Sequence, residues 1–296
     1  MHRPDHHRHH VPGPQPLGRV AILGLGLIGG SLGQVLSAVG AAEDVCGWDV
    51  DPETNAEVEK SSSITRVTSR LKDAVSHADL VVLCVPVNQV VPVFHGVREH
   101  LKPNAVVTDV AGTKSRIVAE GEKTFGGRFL GGHPMAGSEE SGFAASSVDL
   151  FDAATWLITP TPNTDSGAVE MVCRMADWCG ATARCCTPDD HDRVIGYLSH
   201  LPHLLAFGLS SSVAEKIDNE FADAAAGSFK SATRVALSDP AQWTEILHDN
   251  RANAVSALLE FETWAARAAD ALESRDKAGL QSLLTAAHNA RKRFQR

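Results

Sequence analysis

His133 is the residue whose type and setting best suit it to move a proton. It lies in the run GGHPMAGSE, residues 131–139, where the following proline holds its backbone extended and the flanking glycines are expected to let a ligand approach. The unperturbed pKa of histidine, ~6.5, is close to working pH, so a neutral imidazole can accept a proton there. We expect His133 to be a proton acceptor; the alternative is a histidine that is merely hydrogen-bonded in a loop.

A second pair of histidines, His200 and His203, lies three residues apart in the run SHLPH, residues 199–203. On a helix this spacing puts both rings on one face. Zinc is the obvious alternative use of such a pair. The HExxH pattern is absent, however, and neither a cysteine nor a carboxylate completes a ligand set. We therefore expect no metal site.

A basic and aromatic stretch follows further along the chain. The run FKSATR, residues 229–234, ends in Arg234, and the run SDPAQW, residues 238–243, ends in Trp243. A planar guanidinium can bind a carboxylate through two parallel hydrogen bonds, so Arg234 is a candidate ligand for an anionic substrate. The alternatives are a surface ion pair for the arginine and a core position for the tryptophan.

The run GLGLIG, residues 24–29, is a candidate dinucleotide-binding turn. A GxGxxG pattern is a weak signal alone, but here an apolar strand candidate precedes it and the periodicity of an amphipathic helix follows it. In that setting Gly24 permits the tight turn, Gly26 lets the backbone approach a pyrophosphate, and Gly29 lets the helix pack against the strand. The free N–H groups and partial positive charge of the helix N-terminus would then bind the phosphates.

An acidic residue is expected to bind the ribose of the same cofactor. Asp49 lies 25 residues after Gly24, near the ~20-residue offset typical of this contact. A carboxylate there accepts from the 2′-hydroxyl and repels a 2′-phosphate, which predicts NAD rather than NADP. Asp51 is the competing candidate, because sequence fixes strand ends only to within ~2 residues. The predicted cofactor contacts are Gly24, Gly26, Leu27, Ile28, Gly29, Asp49, Val85, Pro86 and Asp109.

The elements that must position these residues fall into two groups. Up to about residue 187, short apolar runs alternate with helical patterns, which predicts parallel strands joined by crossover helices. The strand candidates are Arg19–Leu23, Asp44–Asp49, Asp79–Val85, Ala105–Val110, Arg128–Gly132, Trp156–Thr159 and Thr182–Cys186. The predicted fold is α/β: a Rossmann-type, doubly wound, mostly parallel sheet over residues 18–187, then an all-α domain over residues 188–296. The helix after Pro188 would cross between them, so its residues can face a cleft.

Size and composition describe an acidic chain of about two domains, since 296 residues are available at roughly 150 per domain. With 27 Lys and Arg against 36 Asp and Glu, the formal charge is −9, so no nucleic-acid or membrane surface is expected. No apolar run reaches the ~20 residues of a membrane span. Six cysteines without CxxC spacing favour reduced thiols and a cytoplasmic protein. Residues 1–17, with five histidines and four prolines, are expected to be a disordered arm.

The order of the motifs resembles the prephenate dehydrogenase family, which includes arogenate and cyclohexadienyl dehydrogenases of tyrosine biosynthesis. The resemblance runs from about Arg19 to Trp243. It is most specific in GGHPMAGSEESG, residues 131–142, and HDRVIGYLSHLPH, residues 191–203. It implies NAD-dependent oxidative decarboxylation of prephenate to 4-hydroxyphenylpyruvate. The apolar C-terminal helices also favour a homodimer held together by that domain.

The resemblance also implies roles by position. His133 would accept the hydrogen bond of the substrate's C4 hydroxyl while C4 gives hydride to NAD, and loss of the C1 carboxylate as carbon dioxide leaves an aromatic ring. Arg234 would bind a substrate carboxylate, and Trp243 would approach the site from the partner subunit. The other implied substrate contacts are Ser199, His203, Thr113, Ser138 and Glu139.

Two positions depart from the family pattern. Gly112 stands where many members carry a serine that supports the catalytic histidine, and Ser231 stands where several carry aspartate. Thr113 is the alternative source of the missing hydroxyl. Many relatives also have a regulatory ACT domain, for which we expect no room before Arg296, so that any inhibition by tyrosine would act at the active site.

Three other functions stay open from the sequence alone. An arogenate dehydrogenase acts on a substrate with an ammonium group in place of the keto group. The β-hydroxyacid dehydrogenases share the glycine turn and a helical second domain, but they use a catalytic lysine on the interdomain helix, where this chain has SHLPH. A non-enzymatic NAD-sensing module would need neither His133 nor Arg234.

Overall fold

A computed structural model describes residues 15–294. The N-terminal part of these residues forms a domain around an eight-stranded sheet. The strands are β1 Arg19–Leu23, β2 Asp44–Trp48, β3 Arg66–Val67, β4 Leu80–Leu83, β5 Val106–Asp109, β6 Phe129–Pro134, β7 Thr155–Thr159 and β8 Thr182–Cys185. Their order in space is β3-β2-β1-β4-β5-β6-β7-β8. Neighbours are parallel except β6 and β7, which are antiparallel. The predicted Rossmann-type, mostly parallel sheet is confirmed.

Six helices connect the strands, and helices alone follow β8 within the described residues. The first group is α1 Leu27–Ala38, α2 Pro52–Ser61, α3 Leu71–Val75, α4 Val90–Val97, α5 Ser115–Phe125 and α6 Ser166–Trp178. The second group is α7 Pro188–Ile195, α8 Leu201–Ala214, α9 Gly227–Thr233, α10 Pro240–Asp249, α11 Arg251–Glu273 and α12 Lys277–Lys292. A π-helical turn, Gly196–His200, joins α7 to α8. The helical C-terminal region is confirmed as predicted.

Two apolar cores lie on opposite faces of the sheet. On one face, α1 and α6 bury Leu36 and Met175, and on the other, α4 and α5 bury Phe94 and Phe125. Every residue of β4 is buried, because helices cover both faces of a parallel sheet and its strands must be apolar on both sides. The carboxyl ends of these strands, where ligands bind in open α/β sheets, are thereby held rigidly.

The helical region buries much less apolar surface within one chain. Among the described residues of α8 to α12, the buried apolar side chains are three alanines, Ala206, Ala254 and Ala257. Larger apolar side chains on α11 stay exposed, including Val255 at 55% and Leu259 at 55%. The apolar faces of α11 and α12 are therefore uncovered within a single chain. Across residues 15–294, none of the helices combines the length and apolarity that crossing a bilayer requires.

The predicted arm, residues 1–17, is wrong at its C-terminal end. Leu17 is buried in the core and donates its N–H to the carbonyl of Ala41 at 2.9 Å. The carbonyl of Gln15 accepts from Trp178 Nε1 at 3.3 Å. An apolar side chain that completes the core holds this stretch against the domain. The five histidines predicted to lie in the arm fall outside the described residues.

Two details of the sheet differ from the predicted strands. β3 was not predicted, because it has only two residues and is defined by its pairing with β2 and not by a hydrophobic run of its own. β6 does not end at Gly132 but continues to Pro134, because antiparallel pairing aligns His133 with Leu157 and Pro134 with Trp156. His133 is consequently fixed in a strand, which gives its ring a more rigid support than a loop would.

Candidate active site

The turn between β1 and α1 has the shape that a pyrophosphate requires. Gly24 has a φ of +94°, and a Cβ there would lie 2.4 Å from the carbonyl oxygen of Cys84. A Cβ on Gly29 would lie 1.9 Å from the carbonyl oxygen of Gly24, whereas a Cβ on Gly26 would meet nothing within 4 Å. Gly24 and Gly29 therefore pack the turn, and Gly26 leaves open space in front of the N-terminus of α1.

The other predicted cofactor residues lie around this turn. Leu27 and Ile28 form the partly exposed first turn of α1. Val85 lies directly beside Gly24, and the exposed Pro86 follows it. The open space at Gly26 and the partial positive charge of the helix N-terminus are what a bound dinucleotide phosphate requires.

Asp49 is held beside the turn by backbone groups. Its Oδ2 accepts from Leu25 N at 2.7 Å and its Oδ1 accepts from Asp51 N at 2.9 Å. Asp51 instead caps α2, since its carboxylate accepts from the N–H groups of Glu53 and Thr54. Of the two candidates, only Asp49 faces the glycine turn. A cavity of about 470 Å³ beside it is lined by Trp48, Asp49, Asn55, Val67 and Ser69, among others.

His133 is partly exposed and presents one edge of its ring to His191 and the other to the space between Gly112 and α10, which we call the cleft. Its Nδ1 lies 2.9 Å from Nε2 of His191. On the opposite edge, a Cβ added to Gly112 would be 3.9 Å from Cε1 and 4.0 Å from Nε2 of His133, and 4.0 Å from Ile246 of α10. The free edge of the ring thus lies between the loop after β5 and helix α10.

Of the glycines that flank His133, Gly137 has nothing within 4 Å of an added Cβ, but Gly131 and Gly132 do not leave room for a ligand, contrary to the prediction. A Cβ on Gly131 would lie 2.5 Å from Thr159 Oγ1, and a Cβ on Gly132 would lie 2.9 Å from the carbonyl oxygen of Asp109. Protein atoms fill this space. The two glycines let β5, β6 and β7 pack closely.

His191 and Asp192 continue the hydrogen-bonded chain behind His133. Nδ1 of His191 lies 2.8 Å from Oδ1 of Asp192. The Asp192 carboxylate also accepts from Lys114 N at 2.7 Å and Ser115 N at 2.8 Å, at the start of α5. Both side chains are buried. They were not among the predicted site residues, although the adjacent pair His191-Asp192 in a helix N-terminal segment was the sequence signal that could have indicated them.

Asn250 joins this chain to the helical region. Its Nδ2 donates to the carbonyl of Asp192 at 2.7 Å and to Nδ1 of His200 at 3.2 Å. Its Oδ1 accepts from Asn253 at 2.7 Å. His200 is consequently an internal, hydrogen-bonded side chain, exposed by 1%.

Trp243 lies in the site of its own chain. Its ring stacks on His203, with centroids 3.5 Å apart and planes 20° from parallel. His203 Nδ1 donates to the carbonyl of Ser199 at 2.8 Å. The role of Trp243 at the site of a partner subunit stays a prediction. Within its own chain, α10 is held against the sheet domain because Asp249, also on α10, pairs with Arg116 of α5.

Arg234 and Glu139 form an ion pair near His203. Their side chains are 55% and 28% exposed, so solvent screens the pair. Ser138 is exposed, and its hydroxyl accepts from Glu140 N at 3.2 Å. The acidic loop and the predicted carboxylate-binding arginine are therefore brought together.

Two predicted ligand contacts prove to be internal. The Thr113 hydroxyl donates to Asp249, and the residue is buried, so it does not supply the hydroxyl that Gly112 lacks. Asp109 is fully buried, where it pairs with Lys114 and accepts from Ala111 N at 2.9 Å. Both side chains turn inward because a partner inside the protein satisfies them. Their carboxylate and hydroxyl hold the loop and do not reach the cleft.

Burial keeps the histidines of the site neutral. It lowers the pKa of His133 well below 6.5, helped by the positive charge of Lys114 and by neighbouring histidines. Burial lowers the pKa of His200 to about 4 and also lowers the pKa of His203. It lowers the pKa of His191 as well, although the hydrogen bond to Asp192 opposes this. In residues 15–294 no three His, Cys, Asp or Glu side chains are grouped so as to hold a metal ion.

A glycine turn, an acidic residue at the end of β2 and a neutral histidine at the same sheet edge define a Rossmann-type, NAD-dependent dehydrogenase. The chain belongs to the prephenate dehydrogenase family. The family models for the nucleotide-binding domain and the dimerization domain of prephenate dehydrogenase match residues 32–184 and 187–286. The family predicted from the motifs is confirmed.

Individual relatives agree with this assignment. The chain is 32% identical over 253 residues to a prephenate dehydrogenase of Bacillus subtilis (83% of this chain, 67% of the relative). It is 29% identical over 261 residues to a cyclohexadienyl dehydrogenase of Zymomonas mobilis (87% and 89%). A crystal structure of prephenate dehydrogenase from A. aeolicus, in complex with hydroxyphenyl propionate and NAD+, superimposes with a TM-score of 0.88 at 30% identity (94% and 98%).

Proposed function

We propose that the protein catalyses the NAD-dependent oxidative decarboxylation of prephenate to 4-hydroxyphenylpyruvate, with His133 as the proton acceptor. The observation that carries the proposal is the neutral imidazole of His133, whose Nε2 is the ring nitrogen not engaged with His191. The glycine turn occupies the same edge of the sheet, as hydride transfer to a nicotinamide requires. Relatives named prephenate dehydrogenase support this choice of substrate.

His133 assists the reaction by accepting the hydrogen bond of the substrate's C4 hydroxyl. Bound NAD supplies the acceptor for the hydride that leaves C4. The electron pair of the bond between C1 and its carboxylate then enters the ring, carbon dioxide leaves, and the ring becomes aromatic. Because aromatisation drives the reaction forward, the protein has mainly to orient the substrate and assist the proton.

Arg234 is proposed to bind a carboxylate of the substrate. Its guanidinium is held by Glu139 and lies near His203. A substrate carboxylate could replace the glutamate as the partner, with charge-assisted hydrogen bonds of similar geometry. Ser199 and the stacked pair of His203 and Trp243 would line the side of the pocket next to it.

Asp49 is proposed to select NAD over NADP. Its carboxylate lies beside the glycine turn, next to the cavity at the end of β2. There it can accept a hydrogen bond from the 2′-hydroxyl of the adenosine ribose, whereas it would repel a 2′-phosphate.

We also propose a cytoplasmic homodimer with a domain boundary near residue 187. The uncovered apolar side chains of α11 and α12 need a cover of the kind that a second copy provides. The match to a dimerization domain over residues 187–286 supports this arrangement. β8 ends at Cys185 and α7 begins at Pro188, which favours a boundary between them.

The first experiment offers NAD or NADP with prephenate or arogenate in all four pairings and follows the reduced cofactor. NAD with prephenate is expected to give the highest kcat/KM. A higher value with arogenate would assign arogenate as the substrate, and no reduction in any pairing would contradict the proposal.

The second experiment replaces His133 by Asn. Loss of a proton acceptor is expected to lower kcat by roughly 10²- to 10⁴-fold while leaving NAD binding unchanged. His95→Asn, an exposed position on α4, is the matched control and should keep wild-type turnover. Near-normal turnover of the His133 variant would show that another group takes the proton.

A further inference from the structure

We propose that Asp192 and His191 are positioning residues that fix the tautomer of His133, so that its Nε2 always presents a lone pair to the substrate. Neither residue reaches the cleft, since both are buried behind the ring. The inference rests on the proposed role of His133 as proton acceptor and adds to it the reason why the correct nitrogen is unprotonated.

The tautomer of His133 depends first on Asp192, whose carboxyl group is ionised. Burial alone would raise the pKa of its carboxyl, but hydrogen bonds from His191 and Ser115 outweigh burial and lower it. The carboxylate is therefore ionised and can only accept hydrogen bonds. Since Oδ1 lies 2.8 Å from Nδ1 of His191, that nitrogen must carry the proton it donates.

The position of the proton on His191 determines the position of the proton on His133. Burial lowers the pKa of His191, so its ring is neutral and has one proton, which is already on Nδ1. Its Nε2 is then an acceptor. Because Nδ1 of His133 lies 2.9 Å from that nitrogen, His133 must hold its own proton on Nδ1. A neutral ring with a proton on Nδ1 has its lone pair on Nε2, which is the edge toward Gly112 and the cleft.

Charged groups around the pair favour this neutral arrangement. Lys114, at the start of α5, and His200, in the π-helical turn, lower the pKa of His133 further. For His191, Lys114 acts in the same direction, while the carboxylates of Asp192 and Asp109 oppose it. Asn250 fixes the backbone carbonyl of Asp192 and so keeps the carboxylate in place.

In this chain, the orientation of the His133 ring depends strongly on its hydrogen bond to His191. Within residues 15–294 its side chain makes one hydrogen bond to the protein, the bond to His191. Gly112, on the other edge of the ring, has no side chain with which to orient it. The hydrogen-bonded chain from Asp192 through His191 therefore sets both the direction of the ring and the position of its proton.

A matched pair of substitutions at position 191 separates this role from simple packing. In His191→Gln, the side-chain carbonyl can take the place of Nε2 and accept from His133. In His191→Met, similar volume is kept but no acceptor of comparable strength remains. We expect the Met variant to lose roughly 10- to 100-fold in kcat with little change in KM, and the Gln variant to keep most of its turnover.

Asp192→Asn should invert the tautomers. Its amide group would donate to Nδ1 of His191, so that His191 would donate from Nε2 and His133 would hold its proton on Nε2. An equivalent Asp-to-Asn change in serine proteases holds the wrong histidine tautomer and lowers kcat about 10⁴-fold. Nitrogen-15 NMR of histidine-labelled protein separates protonated from unprotonated ring nitrogens. It should report an unprotonated Nε2 on His133 in the wild type and a protonated one in this variant.

Several results would overturn the proposal: equal loss of kcat in the Gln and Met variants, wild-type kcat in the Met variant, or a protonated Nε2 on His133 in the unsubstituted protein. The NMR measurement needs no substrate and no substitution, so it decides even if a variant fails to fold. It also separates this inference from the proposed function. A wild-type enzyme that oxidises neither prephenate nor arogenate would contradict the function while leaving the tautomer measurable.

Discussion

Two glycine-containing segments at the edge of the sheet use the residue in opposite ways. In the turn of residues 24–29, Gly26 faces open space, and its missing side chain is room for a ligand. In β6, the spaces beside Gly131 and Gly132 are filled by Thr159 and by the backbone of Asp109. Glycine next to a catalytic candidate therefore indicates close approach, but the approaching group can be the protein itself.

The largest expected effect is on stability, and it comes from adding a side chain at Gly132 in β6, where protein atoms already fill the space. Gly132→Ala would place a Cβ 2.9 Å from the carbonyl oxygen of Asp109, a backbone atom that cannot rotate away. We expect the free energy of unfolding to fall by about 3 kcal/mol, as for overpacked cores. Urea denaturation measures the change. Gly167→Ala, in open space on α6, is the control and should be neutral or stabilising. Wild-type stability of Gly132→Ala would mean that β6 has the same free space as the turn.

The two segments should also respond differently to pH, because β6 contains His133, which contacts the buried His191, whereas the glycine turn has no histidine. A histidine whose pKa is lowered on folding stabilises the protein fully above its unfolded pKa, and this stability is lost as the pH falls below that value. For His200, whose pKa falls from 6.5 to about 4, the loss by pH 5 is about 2 kcal/mol. His133, His191 and His203 act in the same direction.

Thermal unfolding between pH 8 and pH 5 tests this expectation. Tm should fall steadily below pH 6.5, and His200→Asn, which keeps an acceptor for Asn250, should flatten the curve. The glycine turn contains no histidine, so NAD affinity should stay constant wherever the protein is folded. A Tm that does not change with pH would show that these rings are already charged or solvated.

The sheet and the cofactor turn were predictable because each depends on a local pattern. Strands buried on both faces read as continuous apolar runs, and the glycine turn is set by three residues with fixed spacing. β3 was missed because two residues carry no pattern. Asp49 could be separated from Asp51 only by the structure, which shows that Asp51 caps α2.

The hydrogen-bonded residues around His133 were less predictable than the sheet, because their contacts join distant parts of the chain. His133 and His191 are 58 residues apart, and Asp192 and Asn250 are also 58 apart. No local spacing records such a pairing. The same limitation explains Thr113, whose sequence neighbours suggested a ligand contact but whose hydroxyl binds Asp249, 136 residues away.

Filling the open space in the cofactor turn should affect binding and spare stability. Gly26 has a φ of −70°, which alanine adopts freely, and a Cβ there meets no atom within 4 Å. We expect Gly26→Ala to keep its Tm and to bind NAD roughly tenfold more weakly, equivalent to about 1.4 kcal/mol. Fluorescence titration with NAD measures the affinity. A lower Tm with unchanged NAD affinity would reverse the assignment of the two glycine segments.

The smallest expected effect lies at Gly112, beside the ring of His133. A Cβ there would be 3.9 Å from the nearest atom of His133, so Gly112→Ser should change stability by no more than about 0.5 kcal/mol. Its hydroxyl would come within reach of the ring edge for which residues 15–294 provide no hydrogen-bond partner. Because His191 already orients the ring, kcat should change less than about threefold in this background. Combined with His191→Met, the serine should recover part of the lost turnover. A large gain in the single variant would mean that His191 alone holds His133 too loosely.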